Sequence, residues 1–312
     1  MLKSFRLATL VSVITLTPFG LASACAEPLK VVASFSIIGD FAKNVGGDRI
    51  DLTTLVGPDG DAHVYEPKPA DAMAMSRADV VLVNGLHFEG FLQRLVEASA
   101  TKASIVELTK GVEPINMSDE HHDEGEEDES HAHHHGDLDP HAFQSIANAK
   151  IYVKNIADAF CAADAEGCES YKANAEAYTQ KLAETDDYVK ATVASIPEDK
   201  RTIITSHDAF GYFEHTYGLT FLAPEGISTE AEASAADVAA LIRQIRDDKA
   251  SAIFVENITN ARLIEQIAAE TGVKLGGTLY SDALSSADGP AATYIDMMRS
   301  NIATIKGAIT GS

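Results

Sequence analysis

The sequence predicts a two-lobed α/β protein with a mostly parallel sheet in each lobe, and three observations carry that prediction. Short β-rich runs alternate with helical patterns in both halves of the chain, which is the pattern of parallel sheets flanked by helices. Between the halves, Cys168 to Ile196 reads as one unbroken helix of about eight turns, free of Gly and Pro until Pro197 ends it. The length, 312 residues, also exceeds what one hydrophobic core usually serves.

The elements follow in chain order. Residues 1–26 read as a signal peptide: Lys3 and Arg6 form a basic start, Leu7 to Ala26 carries no charge, and Ala24 and Ala26 fit a small-residue cleavage site. Lipid attachment at Cys25 is the weaker reading, because Ala22 rather than Leu stands three residues before it. The first lobe is expected over residues 27–167. Its strands are 31–35, 52–56, 80–83 and 104–108, and its helices 38–45, 70–77 and 88–98. The linking helix takes 168–197, with Tyr171, Ala175, Tyr178, Leu182 and Tyr188 recurring at helical spacing. The second lobe, 198–312, repeats the scheme with strands at 201–205, 252–255 and 273–279 and helices at 235–247, 261–270 and 291–306.

One segment departs from this order. The chain carries 24 Lys and Arg against 47 Asp and Glu, a formal charge of −23. That balance excludes most nucleic-acid binders, which need a basic face for phosphates. No Lys or Arg occurs from Gly111 to Ala149, and residues 118–137 are almost without apolar side chains. Such a stretch cannot bury a core, so an acidic loop is expected there. It holds six histidines, His121, His122, His131, His133, His134 and His135, a composition suited to weak metal contact.

Cysteine usage matches export. Cleavage after Ala26 leaves Cys161 and Cys168, an even pair in an exported chain, and a disulfide is expected between them.

Four residues outside the loop stand where α/β sheets gather ligands, outside the carboxyl ends of strands. His63 follows the second strand within Gly60-Asp61-Ala62-His63-Val64-Tyr65-Glu66-Pro67. His141 follows Asp139-Pro140 just before a helix. His207 ends the first strand of the second lobe, in Ser206-His207-Asp208-Ala209-Phe210, and Asp282 follows the last strand in Tyr280-Ser281-Asp282. Two lie in each half, so an interlobe cleft could collect all four. Three imidazoles and one carboxylate form a tetrahedral shell suited to Zn²⁺. The neighbouring carboxylates Asp61, Glu66, Asp139 and Asp208 read first as caps, turns or surface groups, and only second as partners that orient an imidazole. His87 reads as a loop residue and His215 as a helix-surface residue.

These motifs, together with Ser34-Phe35-Ser36-Ile37-Ile38-Gly39-Asp40, resemble the metal-binding subunits of bacterial ABC-type zinc and manganese uptake transporters, the cluster A-I solute-binding family. The resemblance covers essentially the whole chain after residue 26. It implies two lobes joined by one long helix, with metal in the interlobe cleft. It further implies His63, His141, His207 and Asp282 as its ligands. Manganese members usually carry Glu at the position of His207, so the resemblance favours Zn²⁺. The implied function is capture of Zn²⁺ in the periplasm and delivery to an ABC permease, with a periplasmic zinc donor as a further partner. The chain is expected to act as a monomer, without nucleic acid and without membrane insertion of its mature part. A Mn²⁺ carrier or metal-binding adhesin is the alternative. An exported zinc hydrolase is the weakest reading, since no H-E-x-x-H motif or nucleophile elbow is present.

Overall fold

The computed structural model describes residues 27–116 and 138–311; the leader and the six loop histidines lie outside these residues. The first lobe opens with β1 (Leu29–Phe35), α1 (Ser36–Gly46) and β2 (Ile50–Val56). It continues with α2 (Pro69–Arg77), β3 (Val80–Val83), α3 (Leu92–Ser99), β4 (Ser104–Glu107) and α4 (Ile146–Ala163). The helix α5 (Cys168–Ala194) leads to the second lobe: β5 (Thr202–Ile204), α6 (Gly211–Tyr217), β6 (Thr220–Leu222), α7 (Ala235–Asp247), β7 (Ala252–Glu256), α8 (Arg262–Thr271), β8 (Leu275–Leu279) and α9 (Tyr294–Thr310).

Each lobe contains a four-stranded sheet, ordered β2-β1-β3-β4 in the first and β6-β5-β7-β8 in the second. Every pairing is parallel. The central strands are buried on both faces, which is why Val80-Val81-Leu82-Val83 reads as an uninterrupted apolar run. In both sheets the order reverses between two central strands, β1 and β3 or β5 and β7, and a crevice opens at their carboxyl ends.

The helix α5 has 27 residues, about 40 Å of rise. Tyr171, Ala175, Tyr178, Leu182, Val189 and Val193 are buried along it, three, four or seven residues apart. They belong to one continuous core that takes in the first sheet, α1, α4, α9 and one face of the second sheet. A separate, smaller cluster of Ile204, Leu241, Ile245, Ala250, Ile253, Ile264 and Ile267 packs α7 and α8 on the other face of the second sheet. Cys161 and Cys168 form a disulfide that staples the end of α4 to the start of α5.

Two expected boundaries are corrected and one strand is added. The helix expected over 88–98 starts only at Leu92. Gly85, Leu86 and His87 all have left-handed φ angles, and the buried Glu89 carboxylate accepts the Asn84 and Gly85 amides, so a turn occupies the first part. The last helix starts at Tyr294, where the Thr293 side chain caps it by accepting the Asp296 amide. The three-residue strand β6 was not anticipated; it pairs with β5 beyond the left-handed Gly218 that ends α6. Among the described residues no helix is long and apolar enough to cross a membrane.

Candidate metal centre

The fold brings His63, His141, His207 and Asp282 together, all four buried, with one donor atom from each lying within 4.8 Å of the others. The three Nε2 atoms converge on one carboxylate oxygen. Asp282 Oδ2 stands 3.1 Å from His63, 3.1 Å from His207 and 3.5 Å from His141.

Each donor is held by its surroundings. Asp282 follows β8, where Asn301 of α9 clamps the backbone of Tyr280 with two hydrogen bonds and Gln144 of the first lobe donates to the Ser281 carbonyl at 2.6 Å. His207 follows β5. The Glu256 carboxylate at the end of β7 accepts the amides of Ser206 and His207 at 2.7 and 2.9 Å and lies 2.6 Å from His207 Nδ1. His141 has the same arrangement in shorter form: Asp139 accepts both its amide and its Nδ1 at 2.8 Å. A carboxylate on Nδ1 keeps a proton there and turns the Nε2 lone pair inward. His63 is positioned through its backbone, whose amide donates to Asp61 at 2.9 Å. Its ring packs edge-on against Phe88, 4.7 Å between centroids, and Phe88 also meets His141 and Phe143.

Behind this aromatic wall a polar chain fixes the His141 loop. Ser34 and the Asn84 backbone amide donate to Glu89, Tyr152 donates to the Asn84 side-chain oxygen, and the Asn84 side-chain nitrogen donates to the Pro140 carbonyl. Burial raises the Glu89 carboxyl above its ordinary range.

The electrostatics follow from this packing. Burial works to lower the imidazole of His141, but Asp282 and Asp139 outweigh it and push it up to about 9. Burial opposes the charge on His207 too, and Glu256 with Asp282 raises it well above the ordinary histidine value. Burial alone would raise Asp282; His141 and His207 hold it well below the usual carboxylate range. The protein thus concentrates anionic and basic groups in a dry site, where a divalent cation could exchange for imidazole protons. Among the described buried side-chain atoms without a hydrogen-bond partner are His141 Nε2 and Asp282 Oδ1, each belonging to a member of the quartet, as free donor atoms for a metal would.

Of the four neighbouring carboxylates, Asp139 does orient an imidazole while also making the turn at His141. Asp61 makes a turn at the His63 amide, and Glu66 is exposed. His87 lies on an exposed left-handed turn and His215 is exposed on α6, as their settings suggested. Glu256 was missed. Its position at the carboxyl end of an apolar strand, the rule that singled out His207 and Asp282, could have found it.

The chain is similar to known metal-binding proteins along most of its length. Residues 31–308 match the family described as zinc-uptake complex component A, periplasmic. The manganese-binding lipoprotein MntA of Halalkalibacterium halodurans is 35% identical over 286 residues, 91% of this chain and 89% of that protein. The iron-binding protein YfeA of Yersinia pestis is 31% identical over 283 residues, 91% of this chain and 87% of that protein. Among solved structures, the periplasmic zinc binding protein TroA from Treponema pallidum superposes with a TM-score of 0.81 at 29% identity, covering 91% of this chain and 99% of that one.

Proposed function

This chain belongs to the family of zinc-uptake complex component A, periplasmic, whose members are substrate-binding proteins of ABC transporters and not enzymes, and from that premise we propose that it captures Zn²⁺ outside the cytoplasm and delivers it to an ABC permease. The observation that carries the choice of metal is the donor set itself: three Nε2 atoms around one carboxylate oxygen, at 3.1, 3.1 and 3.5 Å. A tetrahedral ion with bonds of about 2.0–2.1 Å has donor–donor edges of roughly 3.3 Å, which suits Zn²⁺. Three nitrogens against one oxygen favour Zn²⁺ over Mn²⁺ and Fe²⁺ on intrinsic affinity, and Mn²⁺ suits oxygen-rich octahedral shells. In this reading His63, His141, His207 and Asp282 are the ligands, with Asp139 and Glu256 fixing two imidazoles from behind. Residues 27–167, 168–197 and 198–312 serve as lobe, linking helix and lobe.

A second reading, a manganese or iron carrier, draws on the names of the relatives MntA and YfeA. Competitive titration with Zn²⁺, Mn²⁺ and Fe²⁺ decides between them. Zinc capture requires the wild type to hold Zn²⁺ far more tightly than the others, and His207→Ala to lose most of that affinity. Full zinc affinity in the His207 variant would sink the assignment.

Several relatives, MntA and the Streptococcus pyogenes protein MtsA among them, are named as lipoproteins. This reverses the weighting drawn from Ala22: lipid attachment at Cys25 becomes the favoured form, with the protein tethered beside its permease. Labelling with a radioactive fatty acid, compared between wild type and Cys25→Ser, tests it. The six histidines of residues 118–137 are proposed as weak metal collectors, tested by deleting 119–137 and measuring zinc transfer rate and affinity.

A further inference from the structure

Between β6 and α7 the chain runs as a strap, residues 223–234, and its contacts reach metal-ligand loops in both lobes. At its start it is laced to the His207 loop. The Glu225 amide donates to the Ser206 carbonyl at 3.3 Å, the Asp208 amide donates to the Gly226 carbonyl at 3.2 Å, and His207 and Glu225 form a parallel bridge. Farther along, Thr229 crosses to the opposite lobe and donates its hydroxyl to Asp61 Oδ2 at 2.6 Å. The other oxygen of the same carboxylate accepts the His63 amide at 2.9 Å. Asp61 is thus a two-sided catch, one oxygen on a ligand loop and the other on the strap.

The strap also lines a cavity that reaches His63. A cavity of about 410 Å³ has His63, Phe88 and Pro140 on one side and Ile227, Ser228 and Glu230 of the strap on the other. Several other interlobe hydrogen bonds do not involve the strap. Leu284 receives the Asp59 amide and donates its own to Ser36, Asn257 donates to Asp59, Gln144 donates to Ser281, and Tyr294 donates to Phe143. These hold the two lobes together without the strap, which can therefore lift while the lobes stay packed.

We propose that the strap 223–234 is the gate through which the cation reaches and leaves His63, and that the Thr229–Asp61 hydrogen bond is its latch. Thr229 touches no donor atom, so the latch governs the barrier to passage rather than the depth of the site. A hydrogen bond to a carboxylate is worth roughly tenfold or more in an opening equilibrium. Removing it should speed arrival and departure together.

The inference rests on the metal-carrier reading, and the experiment separates the two. Stopped-flow association and dissociation of Zn²⁺ are followed with a fluorescent zinc indicator for wild type, Thr229→Val and Thr229→Ser. Thr229→Val should raise both rates about tenfold and leave Kd within about twofold, and Thr229→Ser should restore both. Unchanged rates in Thr229→Val would overturn the gate. So would a Kd that weakens as much as dissociation quickens, since Thr229 would then be supporting the donor set, and so would Thr229→Ser behaving like Thr229→Val. Wild-type protein that fails to bind Zn²⁺ would overturn the carrier reading and the gate together.

Discussion

The two lobes share one sheet topology and one main core, but only the second has a further core of its own. The first sheet is packed from both sides into the same apolar mass as α5 and α9. The second sheet joins that mass with one face only, and its other face carries α7 and α8 on a small cluster of its own. Each lobe keeps a buried carboxylate at the switch point of its sheet. Glu89 gathers Ser34, Asn84 and Gly85 in the first, and Glu256 gathers Ser206 and His207 in the second. The first carboxylate braces a wall and the second braces a metal ligand. The difference teaches where motion belongs: a layer held by few buried apolar contacts opens at lower cost than one fused to the main core, and the strap leads directly into that layer.

The most disruptive test of this contrast is truncation on either side of it. Phe41 is fully buried between Tyr152, Tyr178 and Tyr294, so Phe41→Ala should cost about 3–5 kcal/mol and lower the global melting temperature. Ile267→Ala, in the outer cluster of the second lobe, should cost about 2–4 kcal/mol and show first as faster amide exchange in α7 and α8. Equal loss of protection throughout the molecule would mean that the two cores unfold as one.

Next in size is the centre itself. Asp282→Ala removes the anionic donor shared by all three imidazoles and should weaken Zn²⁺ binding by roughly two to three orders of magnitude, one ligand's share of a four-ligand site. Isothermal competition against a chelator measures it.

Smaller effects are expected from the orienting carboxylates, about 10- to 100-fold in affinity. Glu256→Gln should exceed Asp139→Asn, because Glu256 accepts two backbone amides of the His207 loop besides facing its ring, where Asp139 accepts one amide besides the ring of His141. Equal losses would show that the ring contact alone matters.

The most gradual effect is on pH. His141 is raised to about 9 by Asp282 and Asp139 against burial, above its unfolded value of about 6.5. Its contribution to the metal-free fold is therefore complete below pH 6.5 and is lost as pH rises through about 9. Zinc must displace the same proton, so its affinity should move the other way and rise across that window. Melting curves with and without Zn²⁺ at pH 6, 7.5 and 9 should diverge steadily.

Much of this was legible in the sequence, for physical reasons. The ligand quartet could be read because strand ends are marked by apolar runs, and His63, His207 and Asp282 stand just past them. The long helix could be read from the spacing of Tyr171, Ala175, Tyr178 and Leu182. What could not be read depends on long-range pairing. The strand β6 has three residues and no periodicity to detect. Leu86 and His87 adopt left-handed backbone without glycine, so nothing announced the turn that delays α3. Glu256 reads as the end of a strand until β5 is set beside β7. Thr229 and Asp61 are 168 positions apart, and only the folded chain makes them neighbours.

The shared core behind the cleft has a calorimetric consequence. A binding protein whose lobes swing shut buries apolar surface as it loads and shows a large negative heat-capacity change. Here α5, α9 and one face of the second sheet already lie in one packed mass with the first sheet, and little further apolar surface is left to bury. Loading should therefore proceed with a heat-capacity change near zero. Its enthalpy should instead track the ionisation heat of the buffer, because the main exchange at the site is a cation for imidazole protons.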